Sequence, residues 1–133
     1  MKLKRVPVFG FDFISAHHVS EVADELFEEL GKTDADQFQF LITPNAYQLV
    51  HFNDDSNKGL KDFYQHATYI LPDGMPVVWV AGKKQLPQRL TGSDLFPVVW
   101  KGAKERDVHA TFVLPNEHMS ELFRKESQVC NCL

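Results

Sequence analysis

The sequence predicts an α/β domain, a Rossmann-like three-layer sandwich in which helices cover a mostly parallel sheet of about four strands. Two observations lead to this fold class. Short apolar or alternating segments typical of strands recur along the 133 residues, and amphipathic segments with helical spacing separate them. Strands that alternate with helices favour a parallel sheet with helices on both faces. A chain of this length fits a single domain, residues 1–133.

The individual elements follow from periodicity and from stop signals. Alternating apolar residues predict one strand over 6–14, and helical spacing that ends at Gly31 predicts a helix over 20–32. The remaining strands are predicted at 37–43, 68–72 and 108–115, and the remaining helices at 46–52, 58–67, 75–84, from Ser93 or Asp94 onward, and at 116–127.

Composition excludes several classes of function. The net charge of -4 is spread without a basic run, which argues against a nucleic-acid partner. No apolar run reaches the length of a membrane span, so a cytoplasmic protein is expected. Cys130 and Cys132 form neither a disulfide framework nor a zinc pattern, and the six histidines have no partners at ligand spacing. We therefore expect no metal and no cofactor.

Two polar corners follow predicted strands. In parallel α/β sheets, ligands bind at the carboxyl ends of the strands, where Thr43-Pro44-Asn45 and Pro72-Asp73-Gly74 lie. Thr43 is expected to cap a helix whose first turn contains Pro44, and free backbone N–H groups there suit a phosphate. Taken alone, the first corner is better explained by helix capping, and the second by a common Asp-Gly turn.

A third corner, residues 88–96, has the same character. Arg89 can pair with a phosphate or with a surface carboxylate, and Gly92 lets the backbone approach a ligand closely. Ser93 or Asp94 is expected to cap the helix that follows. Three such corners in one small sheet favour a shared binding site over three separate helix starts.

The three corners also carry a family resemblance. In order, "TPNAYQLV", "ATYILPDGMPVVW" and "QRLTGSDLFPVVW" resemble the signature blocks of the WecG/TagA/CpsF family of bacterial glycosyltransferases. The opening "VPVFGFDFISAHHVSEVADEL" is similar to the first strand and helix of that family. The alternative of another Rossmann-like nucleotide binder is weaker, because no G-x-G-x-x-G follows the first strand.

The resemblance implies an inverting enzyme of cell-wall polysaccharide, teichoic acid or exopolysaccharide biosynthesis. Its donor would be a UDP-sugar of the N-acetylmannosamine type and its acceptor an undecaprenyl-diphosphate-linked saccharide, with peripheral contact at the inner face of the plasma membrane. The resemblance assigns Asp73 the role of general base, and Thr43 and Asn45 those of polar partners in the catalytic pocket. The matching substrate-binding positions are Gly74, Arg89, Gly92, Ser93 and Asp94.

The pattern departs from the family near the C-terminus. The resemblance covers roughly the first two-thirds of the family domain, and Pro115-Asn116 stand where members have a glycine pair that approaches the nucleotide. A truncated or diverged member is therefore expected. The alternative function is a non-catalytic member that binds a UDP-sugar or a protein partner. An uncovered apolar edge would favour a homo-oligomer.

Overall fold

The computed structural model describes residues 2–32 and 38–126. The chain forms two compact units, Met1–Val99 and Trp100–Leu133. The strands are β1 (Lys4–Val8), β2 (Phe11–Ser15), β3 (Leu41–Ile42) and β4 (Tyr69–Ile70). The helices are α1 (Val19–Leu30), α2 (Ala46–Phe52), α3 (Lys58–Gln65), α4 (Met75–Ala81), α5 (Gly92–Glu105) and α6 (Glu117–Glu126), and a 3₁₀ turn spans Asp55–Asn57.

The first predicted strand is in fact a hairpin. Strands β1 and β2 pair antiparallel, and Val8 lies opposite Phe11 across a two-residue turn. Phe9 and Gly10 both have positive φ, 53° and 83°, as a type I′ turn requires. The prediction of one strand over 6–14 is therefore wrong. The apolar alternation continues through Phe9 and Gly10, so the sequence pattern does not reveal the turn between two strands.

The parallel pairing is confirmed for two strands only. Leu41 lies opposite Tyr69, and Ile42 opposite Ile70, in a parallel pair formed by β3 and β4. Strand β2 also contacts β4. The described residues thus form an α/β structure with two two-stranded sheets, one of them antiparallel. The mostly parallel sheet of about four strands is not confirmed.

Helices cover both faces of the strands. Phe11 and Phe13 of β2 belong to one buried cluster, whereas Ile14 belongs to a second one. In β4, Ile70 packs in the first cluster and its neighbour Tyr69 in the second. Because adjacent strand residues point to opposite faces, the two clusters lie on opposite faces. Helices α2 and α4 contribute to the first cluster, and α1 and α5 to the second.

The second unit contains the end of α5 and helix α6. The predicted strand over 108–115 is wrong: only Phe112 has an isolated bridge, and the neighbouring residues are irregular. Phe112 packs instead between Trp100 and Phe123, with ring centroids 5.1 and 4.7 Å away. Asn116 accepts a hydrogen bond from the Met119 N–H at 2.9 Å and caps α6, which confirms the predicted final helix.

Tyr69 gives the fold a pH dependence. Burial, reinforced by the carboxylates of Glu25 and Glu29, raises the pKa of Tyr69 above 10.0, and the Arg5 guanidinium opposes that shift in part. Above pH ~10 the unfolded state therefore loses the phenolic proton while the folded state retains it, so stability falls as pH rises.

We expect Tyr69→Phe to lose less stability than the wild type above pH ~10, measured by urea unfolding at pH 8 and pH 11. Equal losses would contradict this role.

Candidate functional site

The three predicted corners converge in the first unit. Because β3 and β4 run parallel and in register, Thr43 and the Pro72–Gly74 turn leave the same edge of the pair. The Leu71 N–H donates to the Ile42 carbonyl at 3.0 Å and extends the ladder toward that turn. The third corner is bound to the second, since the Leu90 N–H donates to the Pro72 carbonyl at 3.1 Å.

Gly92 allows the third corner to approach the first closely, and Gly74 lies beside the start of α2. A methyl group at Gly92 would lie only 3.3 Å from Thr43 Oγ1, so the third corner packs directly against the first. A methyl group at Gly74 would lie 4.0 Å from the backbone nitrogen of Ala46, the first residue of α2. The structure therefore brings Thr43, Gly74 and Gly92 to one edge, and Asp73 is the residue before Gly74.

The cap of α2 differs from the prediction. Asn45, not Thr43, is the N-cap: its Oδ1 accepts a hydrogen bond from the Gln48 N–H at 2.9 Å. Gln48 returns a bond, since its Oε1 accepts from the Asn45 N–H at 3.0 Å, which completes a capping box. Pro44 precedes the helix and is buried. The Thr43 hydroxyl therefore takes no part in capping α2.

The cap of α5 also differs from the prediction. Thr91, not Ser93 or Asp94, caps this helix: its buried Oγ1 accepts from the Asp94 N–H at 3.1 Å and donates to Asp94 Oδ2 at 2.7 Å. The helix therefore starts at Gly92, and Pro97 lies in its second turn rather than its first. The pattern Thr-x-x-Asp is a sequence signature of this cap and could have identified Thr91.

Several polar groups at the convergence remain without partners. Asp73 is half-buried, and its N–H donates to the Leu71 carbonyl at 2.9 Å. Within the described residues its carboxylate forms no hydrogen bond or ion pair, and neither does the hydroxyl of Thr43. The backbone N–H groups of Gly92 and Ser93, in the first turn of α5, are also unbonded within that part of the chain. These groups therefore keep hydrogen-bonding capacity that the described residues do not use.

Arg89 lies in the third corner, two residues before Thr91. It is exposed and forms no ion pair or hydrogen bond with the residues that the structure describes.

A small cavity of about 190 Å³ lies at the first corner, where Thr43 and Pro44 line it together with Phe52 and Tyr64. Across 2–32 and 38–126, no group of three or more His, Cys, Asp or Glu side chains could hold a metal ion.

The Thr91 cap has a measurable effect on stability. Thr91→Val keeps the volume but removes the hydroxyl that bonds Asp94, so we expect a loss of about 0.5–2 kcal/mol in the free energy of unfolding, measured with urea. Ser93→Ala is the matched control. The Ser93 hydroxyl makes only a 3.5 Å contact with Thr91, and its removal should cost under about 0.5 kcal/mol. A larger loss in Ser93→Ala than in Thr91→Val would contradict the assignment.

Two strand ends and a capped helix converge at this edge, and ligand sites of α/β enzymes lie at such edges. Comparison with known families identifies the class. The model of the glycosyl transferase WecG/TagA/CpsF family matches residues 6–126, and the chain therefore belongs to this glycosyltransferase family. Searches of curated proteins and of solved structures found no match. Among the described residues, none of the helices has the length and apolar character of a membrane span.

Proposed function

We propose that the chain transfers an N-acetylmannosamine-type sugar from a UDP-sugar to an undecaprenyl-diphosphate-linked acceptor, with inversion at the anomeric carbon. Membership of the glycosyltransferase family supports the reaction class. The observation that carries the proposal is the convergence of the three corners that contain Thr43, Asp73 and Gly92. The side chains of Thr43 and Asp73 form no hydrogen bond or ion pair with the described residues.

In the proposed step, Asp73 acts as general base. Its carboxylate takes the proton of the acceptor hydroxyl, whose oxygen attacks the anomeric carbon of the donor. The bond from that carbon to the diphosphate oxygen breaks on the opposite face, and UDP leaves with the electron pair. A positioned base typically contributes about 10²- to 10⁴-fold to such a rate.

The diphosphate is proposed to bind at the start of α5. The N–H groups of Gly92 and Ser93, which are unbonded among the described residues, are proposed to bind an anion, because the first turn of a 14-residue helix carries partial positive charge. Arg89, which forms no ion pair with the described residues, adds a full positive charge, and Thr43 adds a hydroxyl donor. Asn45 supports the site mainly by capping α2, and Asp94 by accepting a hydrogen bond from Thr91, the N-cap of α5.

Calorimetric titration with UDP tests this proposal. We expect binding to the wild type and an affinity about tenfold lower in Arg89→Ala, since a charge-assisted contact with phosphate is lost. Lys58→Ala, which removes an exposed cation on α3, is the control and should bind UDP as the wild type does. A folded wild-type chain that binds no UDP at millimolar concentration would refute the proposal.

A second candidate is a non-catalytic family member that binds a protein partner. An exposed aromatic surface favours it: Phe38 and Phe63 are 83% and 55% exposed, and both stack on Phe40. Measurable sugar transfer by a chain that remains monomeric in light scattering would argue against this candidate.

A further inference from the structure

An apolar cleft of about 500 Å³ separates α2 from α4 in the first unit. Val50 from α2 and Val80 from α4 line its two walls, and Phe9 of the hairpin turn lines it as well. None of the lining residues is charged. Val50 and Val80 are 74% and 62% exposed, so the apolar walls continue onto the protein surface. We call this feature the α2–α4 cleft.

Two large aromatic side chains lie beside the α2–α4 cleft. Tyr47 is one helical turn before Val50, and Trp79 directly precedes Val80. They are 79% and 68% exposed, and Phe9 is 51% exposed. A fully buried aromatic side chain covers about 150–250 Å², so these three alone offer roughly 300–500 Å² for burial. Apolar patches of several hundred Å² often mark interaction sites, and we call the cleft with Tyr47 and Trp79 the α2–α4 surface.

The charge pattern of the helices indicates what kind of partner fits this surface. Helix α2 (AYQLVHF) and helix α4 (MPVVWVA) contain no Asp, Glu, Lys or Arg, whereas α1, α3, α5 and α6 all contain charged residues. Two copies of these uncharged helices can face each other without like-charge repulsion. Neither helix offers a charge pattern that would select a different protein or an anionic lipid. A second copy of the chain therefore matches this surface.

The shape of the α2–α4 surface is also self-complementary. Pro76 lines the cleft, and Trp79 and Val80 follow it at the spacing that places helix residues on one face. A hollow and an exposed indole ring are thus neighbours. A twofold axis beside them lets each copy insert its Trp79 into the cleft of the other, so the same contact forms twice. A tryptophan buried in a pocket is a common anchor of stable interfaces.

The hairpin turn keeps Phe9 at the cleft in a costly conformation. The φ of Phe9 is 53°, a region that a bulky residue adopts at a cost of about 1–3 kcal/mol. Two hydrogen bonds hold the turn: Asn53 Nδ2 donates to the Phe9 carbonyl at 3.3 Å, and Gln65 Nε2 donates to the Gly10 carbonyl at 2.7 Å. The fold maintains this exposed ring despite the cost, which favours a role for Phe9 in a contact outside its own chain.

We propose that the α2–α4 surface is a twofold interface between two copies of this chain, with Trp79 of each copy in the α2–α4 cleft of the other. A standard interface takes about 800 Å² from each partner, and the three exposed aromatic rings supply roughly half of that area before the valines are counted. Formation of this dimer needs no nucleotide, so the inference does not depend on the proposed function.

Sedimentation equilibrium over about 1 µM to 1 mM of the full chain tests this inference. The wild type should form a dimer with a dissociation constant in the micromolar range or below. Trp79→Ala removes the inserted ring and should weaken the dimer at least about tenfold. Leu30→Ala truncates another exposed apolar side chain, on α1, and is the matched control that should dimerise as the wild type does.

A pair of charge variants tests the interface separately from folding. Val80→Glu and Val80→Lys each place like charges in both halves of a twofold contact, so each variant alone should be monomeric. An equimolar mixture of the two should form a dimer again, because opposite charges then face each other. Val80 is exposed, so both variants should keep the wild-type circular dichroism spectrum.

Three results would overturn the inference. The first is a wild-type chain that stays monomeric at about 1 mM. The second is a dimer that survives both Trp79→Ala and Val80→Glu, since the contact would then lie elsewhere. The third is a monomer that binds phosphatidylglycerol vesicles and loses that binding in Val80→Glu, since the surface would then contact a membrane.

Discussion

Replacement of Asp73 by asparagine is expected to lower the rate of sugar transfer by about 10²- to 10⁴-fold. The amide of asparagine has nearly the size of the carboxylate but cannot accept the proton of the acceptor hydroxyl. Because the Asp73 side chain bonds no other described residue, the substitution breaks no hydrogen bond or ion pair within that part of the chain. Transfer is measured with a UDP-sugar donor and a lipid-linked acceptor, and UDP affinity and urea unfolding are measured in parallel.

Asp24→Asn provides the matched control for this experiment. Asp24 is exposed on α1, and the same change of charge and size there should leave the rate of transfer unchanged. Wild-type turnover in Asp73→Asn would remove Asp73 from the role of base. A loss of turnover together with a large loss of stability would show that the carboxylate supports the fold instead.

Leu71→Ala is expected to produce the largest loss of stability discussed here, about 2–5 kcal/mol in the free energy of unfolding. Leu71 is fully buried in the cluster beneath α1 and α5, and truncation leaves a cavity there. Its N–H extends the β3–β4 ladder immediately before Pro72 and Asp73. Urea unfolding measures the loss, and weaker UDP binding should accompany it because the turn after β4 loses its support.

Leu30→Ala is the matched control, because it makes the same truncation at an exposed leucine. Leu30 is 59% exposed at the end of α1, so the same truncation should change the free energy of unfolding by under about 0.5 kcal/mol. Similar losses in Leu71→Ala and Leu30→Ala would contradict the assignment of Leu71 to the core.

The helices and the corners could be predicted from local sequence because local interactions determine them. Apolar spacing and stop signals locate α1 through α4, and the apolar residues before Asp73 mark the end of a buried strand. The N-cap of α5 is harder to assign, because Thr91 and Ser93 are both good N-caps. The pattern Thr-x-x-Asp favours Thr91, whose hydroxyl bonds both the N–H and the carboxylate of Asp94.

The strand pairing could not be predicted in the same way. Phe9 is an unusual turn residue, and its alternation with Phe11 and Phe13 imitates one long strand. The segment 108–115 has the composition of a strand, but composition does not supply a pairing partner. Val113 is 91% exposed there, and Phe112 is held by packing with Trp100 and Phe123. Propensity therefore indicates extended backbone without determining a sheet.

An apolar cleft lined mainly by α2 and α4 also escaped sequence analysis, since it depends on the distance between two short helices. Val50 and Val80 are thirty positions apart, and their helical spacing indicates only that each lies on an apolar stripe. Their exposure distinguishes them from core residues, and exposure becomes visible only in the folded chain.

A crystal structure of the chain with UDP would show whether the three corners form one active site. We predict that the diphosphate contacts the N–H groups of Gly92 and Ser93, with Thr43 in hydrogen-bond reach and the Asp73 carboxylate facing the same space. UDP bound away from these three corners, or an Asp73 side chain turned away from the bound nucleotide, would contradict the claim that the corners form one active site.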